Sequence, residues 1–206
     1  GLNSVVVVYP DDDSVGTYDT IQEGVDRAIT LSQNGQVRMT VLVFGGKRTV
    51  DVGEPTERSV VVSYKEYVEI PADANLYIRG IPADRPWDVV VDGDPAGMDA
   101  VISITQPATV DENTLMDRLV VEGLTLRNGK YGVAVLGGIG DAPVLRPTIN
   151  RCIILGSNQR DETTGNPVQQ QAAGVLAQDN AAPLLINCSI GGYSREIGRA
   201  SCRERV

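Results

Sequence analysis

Apolar residues recur along this chain at two different periods. Residues 5–9 are a Val-rich run that predicts a strand. In the segment that follows, Ile21, Val25, Ala28 and Ile29 return at helical spacing. They predict an amphipathic helix of about four turns, capped by Thr17 or Asp19 and ended by a left-handed turn at Asn34-Gly35. "VRMTVLVF" then reads as a buried strand, and residues 45–65 as a loop-rich insertion. Beyond that the helical period does not return. Short apolar strands alternate with Gly, Asn, Asp and Pro.

Those strands repeat one design. "LYIRG", "ISITQ", "LTLRN", "CIILG" and "CSIGG" each read apolar–x–apolar–x–turn residue, centred on Ile78, Ile104, Leu126, Ile154 and Ile190. Two units match further. "PTINRCIILG" from Pro147 and "PLLINCSIGG" from Pro183 share Pro, an aliphatic third residue, Cys, Ile and Gly at the same places. The same frame lays Val121, Leu124 and Leu126 over Ile149, Cys152 and Ile154. A unit this short cannot bury its apolar face alone, so equivalent residues must stack from coil to coil. The residue two places beyond each centre is Gly80, Gln106, Asn128, Gly156 or Gly192, and Gly and Asn suit a sharp corner. Second strands fit at 132–137 and 174–179, and a long loop at 158–171.

The expected fold class is therefore all-β: a parallel β-helix, or solenoid, with an N-terminal capping α-helix. An antiparallel β-sandwich is the alternative. It would call for more aromatic residues than the 4% present, which include one Phe and one Trp.

Composition narrows the chemistry. The chain has 206 residues, enough for one domain with a core, and a formal charge of −9. That charge repels phosphate backbones, so nucleic acid is not an expected partner, and no apolar run is long enough for a membrane span. There is no histidine, which removes Ser-His-Asp and Cys-His catalysis and the usual zinc sites. Any chemistry falls to Asp, Glu, Arg, Lys, Tyr or a bound hard cation. Cys152, Cys188 and Cys202 form no disulfide framework. Cys152 and Cys188 share a register; this fits either a disulfide or metal pair, or two small hydrophobes stacked inward, and the second reading is favoured.

Acidic clusters occur at Asp11–Asp13 and at Asp92, Asp94 and Asp99. The second is the candidate metal set, with Ca²⁺ as the ion its hard oxygens would hold, against ordinary turn chemistry as the plainer reading. Asp161 and Glu162, beside Arg160 on the long loop, are candidate substrate-binding carboxylates. Arg127, Lys130 and Tyr131, after a strand corner, could meet a sugar or a carboxylate. A solvated surface accounts for each group as well.

"YDTIQEGVDRA" resembles the helix that opens many right-handed parallel β-helices of the pectin lyase-like superfamily, where it caps the solenoid. "YKEYVEIPADANLYIRG" resembles the segment that follows in that group, and the two Pro–Cys–Ile–Gly units resemble its repeats. The likeness covers roughly residues 5–194. It implies a secreted or cell-surface protein that binds or cleaves polysaccharide, as pectate lyases do with Ca²⁺; a non-catalytic structural or adhesive repeat protein is the alternative. The pectinesterase pattern C-x-F-x-G-x-Q-D is met at Cys152, Ile154 and Gly156 only. Asn158 and Gln159 stand where Gln and the catalytic Asp belong, so no catalytic residue is identified.

The repeat fails soon after Gly192. "EIGRASCRERV" matches one reading frame of a common sequencing-adapter oligonucleotide, so residues 196–206 are expected to be a non-native tail. Residues 1–195 are then the cap and first coils of a longer solenoid that opens in mid-strand.

Overall fold

The computed structural model describes residues 4–10, 17–32, 35–51, 57–93, 100–107, 116–156, 173–192 and 197–198, the side chains of 47–60 and 197–198 excepted. The chain begins with β1 (Val5–Val8), β2 (Thr17–Tyr18) and α1 (Ile21–Leu31), followed by β3 (Met39–Phe44), β4 (Gly46–Asp51), β5 (Glu57–Tyr64) and β6 (Val68–Pro71). Four sets of three strands follow: β7 (Leu76–Ile81), β8 (Val90–Asp92) and β9 (Ala100–Thr105); β10 (Val120–Glu122), β11 (Thr125–Arg127) and β12 (Tyr131–Leu136); β13 (Thr148–Asn150), β14 (Ile153–Leu155) and β15 (Ala173–Gln178); and β16 (Leu184–Ile186), β17 (Ser189–Gly191) and β18 (Ile197–Gly198).

Each set deals one strand to each of three sheets. The sheets run β16-β13-β10-β7-β3-β1-β2, β17-β14-β11-β8-β5-β4 and β18-β15-β12-β9-β6. Every pairing is parallel except the β4–β5 hairpin, which rules out an antiparallel sandwich for the described residues. This is an all-β-dominated chain of stacked parallel sheets with one helix, an arrangement compatible with a β-solenoid.

Inward residues form columns. In the first sheet Val6, Val41, Ile78, Val121, Ile149 and Leu185 pair in series. Val91, Leu126, Ile154 and Ile190 do so in the second, and Ile70, Ile104, Val135 and Ala177 in the third. The core is correspondingly aliphatic, with Tyr64 its one fully buried aromatic among the described residues. The Tyr64 hydroxyl donates to the Phe44 carbonyl at 2.7 Å, so its polar end is satisfied.

Several expectations change here. Leu126, Ile154 and Ile190 share a column as the repeat implies, but Ile78 and Ile104 belong to the other two sheets. Apolar–x–apolar is the signature of any half-buried strand and does not say which sheet holds it. The expected second strands are β12 and β15, each starting one residue earlier and lying in the third sheet. The expected insertion at 45–65 contains the β4–β5 hairpin. The left-handed corners fall mostly on other residues. Gly123, Arg151 and Asn187 follow the first-sheet strands with φ of 71°, 50° and 52°, while Asn128 and Gly192 behave as expected. Gly80 instead lies inside β7, where a Cβ would stand 2.1 Å from the Gly123 carbonyl oxygen: the requirement is close approach, not a turn.

The helix is shorter than expected, 11 residues, because Thr20 rather than Thr17 or Asp19 caps it. The Thr20 hydroxyl accepts from the Glu23 amide at 3.1 Å. Ile21, Val25 and Ala28 are buried and Gly24 lies against Val8 and Val41, so α1 covers the inward face beside β1 and β3 and also reaches β6. Glu66 fastens the start of α1, accepting from the Ile21 and Gln22 amides at 2.8 and 2.9 Å.

Of the expected non-native tail, Ile197–Gly198 is described as a strand beside β15.

Candidate functional site: a corner cleft between two sheets

Stacking brings distant polar residues together on the outer face of the first sheet. Arg79, Glu122 and Asn150 occupy one row, because Glu122 pairs with both others in register. Glu122 is 6% exposed. Its carboxylate accepts from the Tyr77 hydroxyl and from Asn150 Nδ2, the latter at 3.0 Å. Arg79 Nε at 3.8 Å and Arg151 Nη1 at 4.0 Å supply positive charge from two sides. Burial, then the bond to Glu122 and its charge, push the Tyr77 phenol above its ordinary pKa. Arg38 sits over the Tyr77 ring, 5.5 Å from its centroid.

Arg151 also leads into a cleft. Its left-handed backbone turns the chain from β13 to β14, and its side chain helps to wall a cavity of about 340 Å³. One wall is the segment after β7, through Ala83, Asp84 and Pro86; the other is the second sheet's outer edge at Arg151, Ile153 and Ser189. The Thr125 hydroxyl ties the first wall down by donating to the Pro86 carbonyl at 2.9 Å. Pro86 opens a 3-10 turn, Pro86–Asp88, which holds the chain's one tryptophan, Trp87, 55% exposed. An acid, a base, and amide and hydroxyl groups thus line one concave corner, and the residue next to its Pro86 is the exposed Trp87.

Of the residues predicted from sequence, those described are not among the cleft's lining residues. Arg127 ends β11, Lys130 lies in the connection that follows, and Tyr131 opens β12. Arg127 Nη2 is 2.7 Å from Asp92 Oδ2, and Lys130 Nζ sits 5.5 Å from the Tyr131 ring centroid; none of the three lines the cleft. Asp161 and Glu162, with Arg160, are outside the described residues, as are Asp94, Asp99 and Asp11–Asp13. Asp92 is described. Its two carboxylate oxygens accept from Arg127 and Asn128, so a positive charge already stands where Ca²⁺ would be needed. Among the described residues no group of three metal-ligating side chains occurs.

Glu122, Tyr77, Arg79, Arg151 and Trp87 were not legible as a site. Glu122 lies 45 residues from Tyr77 and 28 from Asn150, and only the register of stacking joins them. Trp87 alone carried a signal, as a single tryptophan beside a proline.

The cysteines occupy equivalent places in adjacent coils. Cys152 is buried and Cys188 half-buried, and both are free thiols. No protein-family model, curated protein or solved structure matches the chain.

Proposed function

We propose that this chain is part of a right-handed parallel β-helix of the pectin lyase-like kind, and that it binds polysaccharide in the corner cleft. The observation that carries the reading is Trp87, an exposed indole on a turn whose Pro86 lines a cavity shared by Asp84 and Arg151. A sugar ring needs an apolar face to lie on and charged or amide groups for its hydroxyls, and such a corner supplies both. Arg151 adds a partner for a uronate carboxylate. The polysaccharide would run along the coils, and the protein would work outside the cell or at its surface.

Binding without cleavage is favoured over lyase or hydrolase chemistry by one observation. The carboxylates of Glu122 and Asp92 are each held by ladder partners, not paired with one another as an acid and base. A structural or adhesive repeat protein is the second reading, and those same self-satisfied ladders support it.

The single tryptophan makes the test direct. Fluorescence of Trp87 is titrated with oligogalacturonate and with neutral oligosaccharides, with and without Ca²⁺. Saturable quenching or a spectral shift, abolished in Arg151→Ala, is expected. No response across the whole panel would leave the structural repeat as the better account.

A further inference from the structure

We propose that Cys152 and Cys188 form a reversible disulfide between adjacent coils by exchange with a small soluble disulfide.

The backbone holds the two residues in register. Ile153 pairs with Ser189 immediately after them, and the Ser189 amide donates to the Cys152 carbonyl at 3.0 Å. Neighbouring strands stand about 4.8 Å apart. That spacing lies within the range of roughly 4.4–6.8 Å over which Cα atoms accept a disulfide.

The thiols are placed alike. Cys152 Sγ lies 3.4 Å from the Asn150 carbonyl oxygen and 3.9 Å from that of Val121, one coil below. Cys188 Sγ lies 3.4 Å from the Ile186 carbonyl oxygen and 3.3 Å from that of Ile149, again one coil below. The two side chains therefore point the same way from stacked positions. The neighbouring Cys152 thiol draws the Cys188 thiol below its ordinary pKa, while Cys188 and burial push Cys152 well above. Among the described residues no third metal-ligating side chain is grouped with the pair.

The steps balance. Cys188, the more accessible and more acidic thiol, attacks one sulfur of the small disulfide as its thiolate. A Cys188–S bond forms, the small S–S bond breaks, and one small thiol departs. Cys152 then gives its proton to solvent and attacks Cys188 Sγ, and the second small thiol leaves. The protein loses two hydrogens and two electrons, and the small disulfide gains both.

The inference is independent of the saccharide reading. It is tested in the whole chain carrying Cys202→Ser, to remove the third thiol. Folded protein is incubated with oxidised glutathione, quenched in acid, alkylated and examined by intact mass and peptide mapping. The expected product takes up no alkylating reagent and is about 2 Da lighter than the dithiol. Its map shows one Cys152–Cys188 peptide pair, and dithiothreitol restores both thiols. Cys188→Ser and Cys152→Ala, each checked for its fold by circular dichroism, should lose this product. The proposal is overturned if the folded chain keeps two alkylatable thiols. It is equally overturned if reaction stops at a stable glutathione adduct, or if the bond closes only after unfolding in urea.

Discussion

Replacing Leu126 with alanine probes the stacked columns at their middle. Leu126 is completely buried, with Val91 beside it on one coil and Ile154 on the next. The change deletes three carbons, a transfer loss of about 2.4 kcal/mol at ~0.8 kcal/mol per methylene. A cavity term adds about 1 kcal/mol, because ladder hydrogen bonds fix the neighbouring coils about 4.8 Å away and keep them from closing the gap. The predicted loss is thus about 3–4 kcal/mol. Urea denaturation followed by circular dichroism measures it, as a lower midpoint at unchanged slope. Leu155→Ala is the internal control: it sits one residue beyond Ile154, in the adjacent strand β14, but faces outward, 39% exposed, and should cost less than about 1 kcal/mol. Equal losses at the two positions, or a larger one at Leu155, would refute the assignment of faces and with it the column.

Two further outcomes follow from the polar contacts. Glu122→Leu should lose about 1–3 kcal/mol in the same assay, since it strands Tyr77, Asn150 and the flanking arginines; Glu122→Gln, which keeps an acceptor, should lose less, and a fully stable Glu122→Leu would contradict the network. Burial raises the Glu66 carboxyl above its ordinary pKa, a larger effect than the lowering by the Ile21 and Gln22 amides. The folded state then holds this proton to higher pH than the unfolded state does. Glu66's contribution should therefore fall as pH rises from the unfolded value of about 4.3 through the higher folded one, then level off. Midpoints measured across that window should show a fall that Glu66→Gln lacks; an identical pH profile in the variant would remove the effect.

How much of this was legible varies with the physical signal. The helix could be read because Ile21, Val25 and Ala28 must face one way whatever they pack on. The column through Leu126, Ile154 and Ile190 could be read because Pro, Cys and Gly mark the same place in two units. The assignment of Ile78 and Ile104 failed where those markers are missing and only the strand period remains. Arg151 adopts left-handed backbone although arginine carries no preference for it, so its type gave no sign of the corner that shapes the cleft. Glu122 in "VVEGL" reads as a solvated charge, and its burial comes from neighbours tens of residues away. The hairpin at 46–64 was hidden because the sequence between its strands, "VGEPT", reads as loop.

The central claim is that strands separated by tens of residues lie in parallel register, one coil apart. Thr40, Tyr77, Val120, Thr148 and Leu184 form one such row across five strands. Spin labels at Thr40→Cys and Leu184→Cys, in a chain with its natural cysteines replaced, measure the row directly by paramagnetic resonance. Four coil spacings predict a narrow distance near 19 Å, at about 4.8 Å each. A distribution centred beyond about 30 Å, or one with no defined maximum, would contradict a stack that advances by one strand spacing per coil.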